Sequence, residues 1–280
     1  ASRRGKNKKG PQSVFERLTA SRGVTCDIDH RGGRFWPRLA RQGLPHSVAA
    51  AGKPVEIAPE WTKEAEMRVA TANGVEIEYE WDGPEGGPVA LLIMGLAQQL
   101  IFWPEDFIKS LNDAGYRTLR FDNRDIGHSQ KFSGKTAPNP LVQLAARLAG
   151  IRGLAPYSLE DMAADTIGLL DALKIDKADI VGISMGGMIT QVLAAKYPAR
   201  VKRLAIIMSS TNNPKLPRAK GEIAKALMAP PKNIATKEAA LERAMYLWSL
   251  IGTKNSGASE EELRARLAAS YERSHYPAGP

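Results

Sequence analysis

The stretch Gly182-Ile183-Ser184-Met185-Gly186 constrains this chain more than any other. Before it runs Ala178 to Ile183, which reads as a strand. After it an apolar helical pattern continues to about Tyr197, where Pro198 halts it. A serine on a tight turn between a strand and a helix projects its Oγ above the sheet. Such a turn leaves no room for side chains two residues away on either side, and Gly182 and Gly186 stand at those places. The first N–H groups of the helix lack intrahelical acceptors and carry partial positive charge, so they suit a developing oxyanion. The plainer alternative is a serine that merely closes a Gly-rich strand–helix junction. The rest of the chain decides between the two.

Around Asn73-Gly74 the apolar residues alternate (Val69, Val75, Ile77, Tyr79), which predicts a hairpin. Val89 to Met94 is a continuous apolar run, as expected of a buried parallel strand. Pro104 opens a helix carrying Phe107, Ile108 and Leu111, and Gly115 closes it. Tyr116 to Phe121 is the next strand. Leu141, Leu144, Leu148 and Ile151 suggest a short amphipathic piece. Ser158 with Asp161 resembles a capping box ahead of a helix bearing Met162, Ile167, Leu170 and Leu173. Val201 to Met208 is a further strand. Strand and helix alternate from Val89 onward, so right-handed crossovers predict a doubly wound, mostly parallel α/β sheet. Ligands bind at the carboxyl ends of such strands. Gly95, Asp122, Ser184 and Ser209 are all predicted there, which raises Ser184 above a chance match.

Residues 212–280 read as helices over about 219–229, 235–251 and 259–273, the second with a large apolar face from Tyr246, Trp248 and Leu250. They are expected to form a helical cap over the strand ends, or else a helical edge of the domain. Residues 1–66 show no sustained period and hold 13 Lys or Arg against 7 Asp or Glu, a net of +6. Residues 67–280 hold 26 against 23, a net of +3. The basic balance therefore belongs mainly to the leading segment. A solvated, disordered leader is expected for 1–66, a core for 67–211 and the cap for 212–280. The leading cluster Arg3, Arg4, Lys6, Lys8 and Lys9 has no interleaved aromatics, so no specific nucleic-acid partner is expected. No apolar run approaches a membrane span or the h-region of a signal peptide. Cys26 is the only cysteine, which excludes an internal disulfide and suits a reducing, cytoplasmic setting.

Four segments together resemble the α/β-hydrolase superfamily. They are Ile93-Met94-Gly95-Leu96, Phe121 to Ser129, Tyr157 to Met162 and Gly182 to Met188. The nearest group is the esterase-like one that contains aclacinomycin methylesterase, with the resemblance covering about 67–280. It implies an α/β-hydrolase fold with Ser184 as nucleophile. It also implies an oxyanion hole made of the backbone N–H groups of Leu96 and Met185. Members often carry His-Gly before the second donor, where this chain has Met94-Gly95. A backbone donor needs the turn rather than that side chain. The implied reaction is hydrolysis of a small-molecule ester of a small or medium organic acid through an acyl-enzyme. No metal-ligand cluster or phosphate-loop pattern is visible, so neither metal nor cofactor is expected.

A serine needs a base, usually a histidine oriented by a carboxylate, and in this superfamily both follow the serine. No Asp or Glu occurs from Val201 to Gly221. His275 alone among the histidines follows Ser184, and it reads as a surface or cap residue. His128 reads as structural or pocket-lining. The chain is accordingly expected to be truncated at its C-terminus, to lack the last strands with their acid and base, and to be catalytically impaired. The competing expectation is a non-catalytic α/β-hydrolase-fold module that binds a ligand or partner.

Overall fold

The computed structural model describes residues 68–133, 155–211, 221–228, 236–252 and 259–276, together with 142, 213, 215 and 216. The leading segment 1–66 lies outside the described residues, as does nearly all of the amphipathic piece expected near Leu141–Ile151.

Strand β1 (Arg68–Ala72) turns at Asn73-Gly74 into β2 (Val75–Asp82). Both turn residues have positive φ, 53° and 75°, which an Asn-Gly pair adopts at low cost and which matches the twist of the flanking strands. Then follow β3 (Val89–Ile93), helix α1 (Glu105–Asp113) and β4 (Arg117–Phe121). Helix α2 (Leu159–Ala172), β5 (Ala178–Ile183), helix α3 (Met185–Lys196) and β6 (Val201–Ile207) complete the sheet region. Helices α4 (Gly221–Met228), α5 (Lys237–Ile251) and α6 (Glu260–Arg273) come last. Each element expected within the described residues is present within a residue or two of its predicted bounds. Ser158 makes the reciprocal capping box with Asp161 that the sequence suggests. Ser259 makes a second one with Glu262 at the start of α6.

The strand order is β1-β2-β4-β3-β5-β6. Strands β4, β3, β5 and β6 are parallel, whereas β1 and β2 join antiparallel. The chain leaves β3 for β4 on one side and later returns to β5 on the other. The crevice beyond the ends of β3 and β5 is therefore the place where a site is expected.

The continuous apolar run of β3 is explained by burial on both faces. Leu91 and Ile93 join Leu119, Phe121, Ile180, Leu169 and Leu193 on the side of α2 and α3. Ala90, Leu92 and Met94 join Val181, Ile108, Leu111 and Trp103 on the side of α1. Leu241 of α5 and Leu267 of α6 enter this second cluster, so both late helices pack on the α1 face of the sheet. Burying a leucine in such a core stabilises by roughly 1.5–3 kcal/mol. Strand β6 is half-buried, and among the described residues nothing pairs with its outer side.

Candidate active site

Ser184 sits between β5 and α3 with φ 54° and ψ −118°, a conformation that costs a non-glycine residue roughly 1–3 kcal/mol. The surrounding backbone imposes it. A Cβ on Gly186 would lie 2.1 Å from the Ile93 carbonyl oxygen, and one on Gly182 would lie 2.2 Å from Thr190 Oγ1 and 2.4 Å from the Gly186 carbonyl oxygen. The two glycines are thus sterically required where the sequence placed them. Strand β6 holds the turn from the other side. Ser184 N–H donates to the Ile207 carbonyl at 2.9 Å, and Ser209 Oγ donates to the Ser184 carbonyl at 2.7 Å.

A serine at a helix N-cap ordinarily turns its hydroxyl onto the N–H of the second or third helical residue. Ser184 makes no such cap, and the residue is exposed. Its hydroxyl is held by no hydrogen bond among the described residues.

The loop after β3 approaches from the neighbouring strand. A Cβ on Gly95 would stand 3.1 Å from Ser184 Cβ and 3.7 Å from its Oγ, so this loop passes directly beside the hydroxyl. Leu96 follows, 41 % exposed, and Ala97 has φ 57°. Among the described residues neither Leu96 N–H nor the first helical N–H, that of Met185, has a backbone acceptor. The structure therefore places Gly95, the residue before Leu96, and the start of α3 at Met185 beside Ser184.

Neither of the described histidines, His128 and His275, is brought there. His128 Nε2 meets the Arg273 carbonyl at 2.7 Å, and Nδ1 meets Glu78 Oε1 at 3.2 Å. A carbonyl only accepts, so Nε2 donates to it. His275 is exposed and stacks on Tyr271 with ring centroids 4.3 Å apart. Among the described residues no group of three or more His, Cys, Asp or Glu is placed to hold a metal ion. A depression of about 470 Å³ lined by Thr71, Asn73, Ile167, Asp171 and Tyr197 uses none of the strand-end residues.

A polar cluster absent from the sequence reading lies behind the loop. Asp122, fully buried at the end of β4, accepts from Leu100 N at 2.7 Å, His128 N at 3.1 Å and Arg273 Nη1 at 2.7 Å. Arg273 also donates to Gln99 Oε1 at 2.8 Å and pairs with Glu78. Burial opposes the Arg273 charge, but Asp122 and Glu78 outweigh it and hold the guanidinium more firmly protonated than usual. Burial, reinforced by the neighbouring Asp122, pushes the Glu78 carboxyl above its ordinary range. The position of Asp122 directly after a strand was a usable signal. Nothing in the sequence pointed to Arg273.

Comparison with known proteins fits this geometry. The sequence profile of the alpha/beta hydrolase fold matches residues 88–245, more than half of the chain. The chain belongs to the alpha/beta hydrolase family. Rhodomycin D methylesterase DauP of Streptomyces sp. (strain C5) is 26 % identical over 223 residues, 73 % of this hydrolase and 69 % of that protein. The putative carbamate hydrolase RutD of Variovorax paradoxus is 32 % identical over 131 residues, 47 % of this chain and 41 % of RutD. With that relative, as with rhodomycin D methylesterase DnrP of Streptomyces peucetius, the match spans less than half of the curated protein's length. Among solved structures, a meta-cleavage product hydrolase from Pseudomonas fluorescens IP01 superposes with TM-score 0.53 at 23 % identity, over 72 % of this chain and 63 % of that one. A carboxylesterase of the thaumarchaeon Nitrososphaera gargenis gives TM-score 0.54 at 18 % identity, over 76 % and 68 %. These two likenesses concern the fold. Among the described residues no helix is long and apolar enough to cross a membrane.

Proposed function

We propose that this hydrolase-family chain carries the nucleophile and oxyanion donors of a serine carboxylic-ester hydrolase. The observation that carries the reading is the backbone of Ser184, held at φ 54° and ψ −118° with its hydroxyl making no helix cap. In the proposed reaction Ser184 Oγ attacks the ester carbonyl carbon while its proton leaves to a base. The carbonyl oxygen becomes an oxyanion facing the N–H groups of Leu96 and Met185. Collapse expels the alcohol and leaves an acyl-serine, which water then hydrolyses to the acid. Each oxyanion donor is worth about 2.7–4 kcal/mol at the transition state. A small-molecule carboxylic ester is the substrate class that the methylesterase relatives suggest, and helices α5 and α6, packed on the α1 face of the sheet, supply a cap. A single cysteine, Cys26, suits a cytoplasmic enzyme.

No described histidine touches Ser184, and this favours a second reading, a non-catalytic binding module of the same fold. A fluorophosphonate probe separates the two. Covalent labelling at Ser184 that disappears in Ser184→Ala supports the enzyme. A folded sample that takes no label at any concentration supports the module.

A further inference from the structure

The loop that follows Gly95 is fastened to the far end of the sequence. Gln99 is 4 % exposed, and every polar atom of its side chain is taken by α6 or the residue just after it. Its Nε2 donates to the Ser270 carbonyl at 2.7 Å and to the Ser274 carbonyl at 2.8 Å, while its Oε1 accepts from Arg273 Nη1 at 2.8 Å. The next residue, Leu100, donates its N–H to Asp122 Oδ1, and the other oxygen of that carboxylate takes Arg273. Glu78 of β2 closes the far side of the guanidinium. His128 joins Glu78 to the Arg273 carbonyl, so the C-terminal turn of α6 is gripped through both its side chain and its backbone.

One cation therefore serves three elements at once. Asp122 and Glu78 are two carboxyl groups at 0 % and 4 % exposure, and a buried carboxylate is costly unless a cation pairs with it. Arg273 is that partner, and its planar fork spans both while one N–H also reaches Gln99. The turn Gly95–Leu100 is anchored at its far end, where Leu100 is fully buried in the second apolar cluster and the Gln99 carbonyl accepts from Phe102 N–H at 3.0 Å, but its front is held less. Leu96 and Ala97 are exposed, and its internal backbone bond, Gln98 N to Gly95 O, is 3.3 Å long.

We propose that Arg273 is a positioning residue for the oxyanion loop: by filling the socket of Asp122, Glu78 and Gln99 it sets the turn that carries Leu96 N–H, and so couples the docking of α6 to the readiness of the site. The coupling is a statement about the fold and stands without any catalytic role. Its consequence for turnover rests on the reading of Ser184 and Leu96 given above.

Amide hydrogen exchange on the full chain tests it. In Arg273→Met, exchange at the amides of Gln98, Leu100 and Phe102 rises roughly tenfold or more, while amides of β5 and β6 keep their wild-type rates. Arg273→Lys, a point charge without the fork, restores protection only in part. Gln99→Met leaves the ion pairs in place yet loosens the same loop amides. It also makes the effect of Arg273→Met smaller than in the wild type, because the two share one connection. Unchanged loop protection in both single variants overturns the proposal. So does uniform loss of protection through β5 and β6 in both, which marks a purely global role. Fluorophosphonate capture by Ser184 is read in parallel. Loosened loop amides with slowed capture extend the coupling to the reaction. Loosened amides in a protein that no probe labels preserve the coupling and refute the hydrolase reading alone.

Discussion

Ser209 Oγ lies 2.7 Å from the carbonyl oxygen of Ser184, and the same strand end accepts the Ser184 N–H through Ile207. Both backbone polar groups of the strained residue are thus held by β6. The side-chain bond is the removable one. Ser209→Ala is expected to cost about 1 kcal/mol, since the Ser184 carbonyl still accepts from Gly187 N and Met188 N. Urea denaturation measures that cost. Slower phosphonate capture at unchanged fold measures the loosened turn, and unaltered capture would show that the helix N-terminus suffices to hold it.

Gly187 makes room for that contact. A Cβ there would fall 2.6 Å from Ser209 Cβ, whereas on Gly186 it would fall 2.1 Å from the Ile93 carbonyl. Gly186→Ala has only backbone to displace and is expected to lower stability by more than about 2 kcal/mol. Gly187→Ala meets side-chain atoms of Ser209 and Ile206 at 2.6–3.0 Å, a less severe overlap than the 2.1 Å at Gly186, and is expected to cost less. Thermal melts of the two variants check the order. The opposite ranking would mean that β3 yields more readily than the end of β6.

Arg124 and Asp165 form a buried, two-pronged ion pair, with Nε to Oδ2 at 2.6 Å and Asn73 Nδ2 adding a bond to Oδ1 at 3.0 Å. The guanidinium also stacks 5.1 Å from the ring centres of Phe132 and Tyr157. Removing one partner strands a buried charge. Asp165→Ala and Arg124→Met are each expected to cost about 3–5 kcal/mol, and the double variant less than their sum. Denaturant midpoints of all four proteins complete the cycle, and strict additivity would argue that the pair does not interact.

Stability should carry a pH signature from Glu78. Its carboxyl is raised in the folded state by burial and then by Asp122, against the pull of Arg273 and His128. A raised value means that the stabilising contribution is fully present below the ordinary carboxyl range. It is lost as pH climbs through the folded-state value. Gln mimics the protonated form. Glu78→Gln should therefore match the wild type near pH 4 and become relatively more stable as pH increases. If the variant instead falls behind at high pH, the ion pair with Arg273 dominates over desolvation.

Because neither His128 nor His275 engages Ser184, an external base should help. Free imidazole is expected to speed phosphonate capture by the wild type several-fold and to leave Ser184→Ala unlabelled. Capture that ignores imidazole would point to a base already in place.

The sheet and the serine turn were legible because they obey local rules. The alternation around Asn73-Gly74, the unbroken apolar run of β3 and the spacing of Gly182, Ser184 and Gly186 each encode a geometry within a few residues. Ser158 announced its helix in the same way. The socket of Arg273 obeys no such rule. Its members at 78, 99, 122, 128 and 273 meet only after the sheet has formed, and Arg273 lies 151 positions from Asp122. A lone arginine at the end of an amphipathic helix looks like any solvated one until the carboxylates beneath it are known. His128 was similarly ambiguous, since a histidine after a strand can line a pocket or bolt a loop, and here it does the second.

Among the described residues no strand pairs with the outer rim of β6, while its inner side grips the bend at Ser184. Whatever chain zips onto that rim, from this polypeptide or another, would stiffen the same backbone that keeps the hydroxyl raised. Reactivity of the serine would then report on what lies alongside the sheet, two strands removed from any substrate.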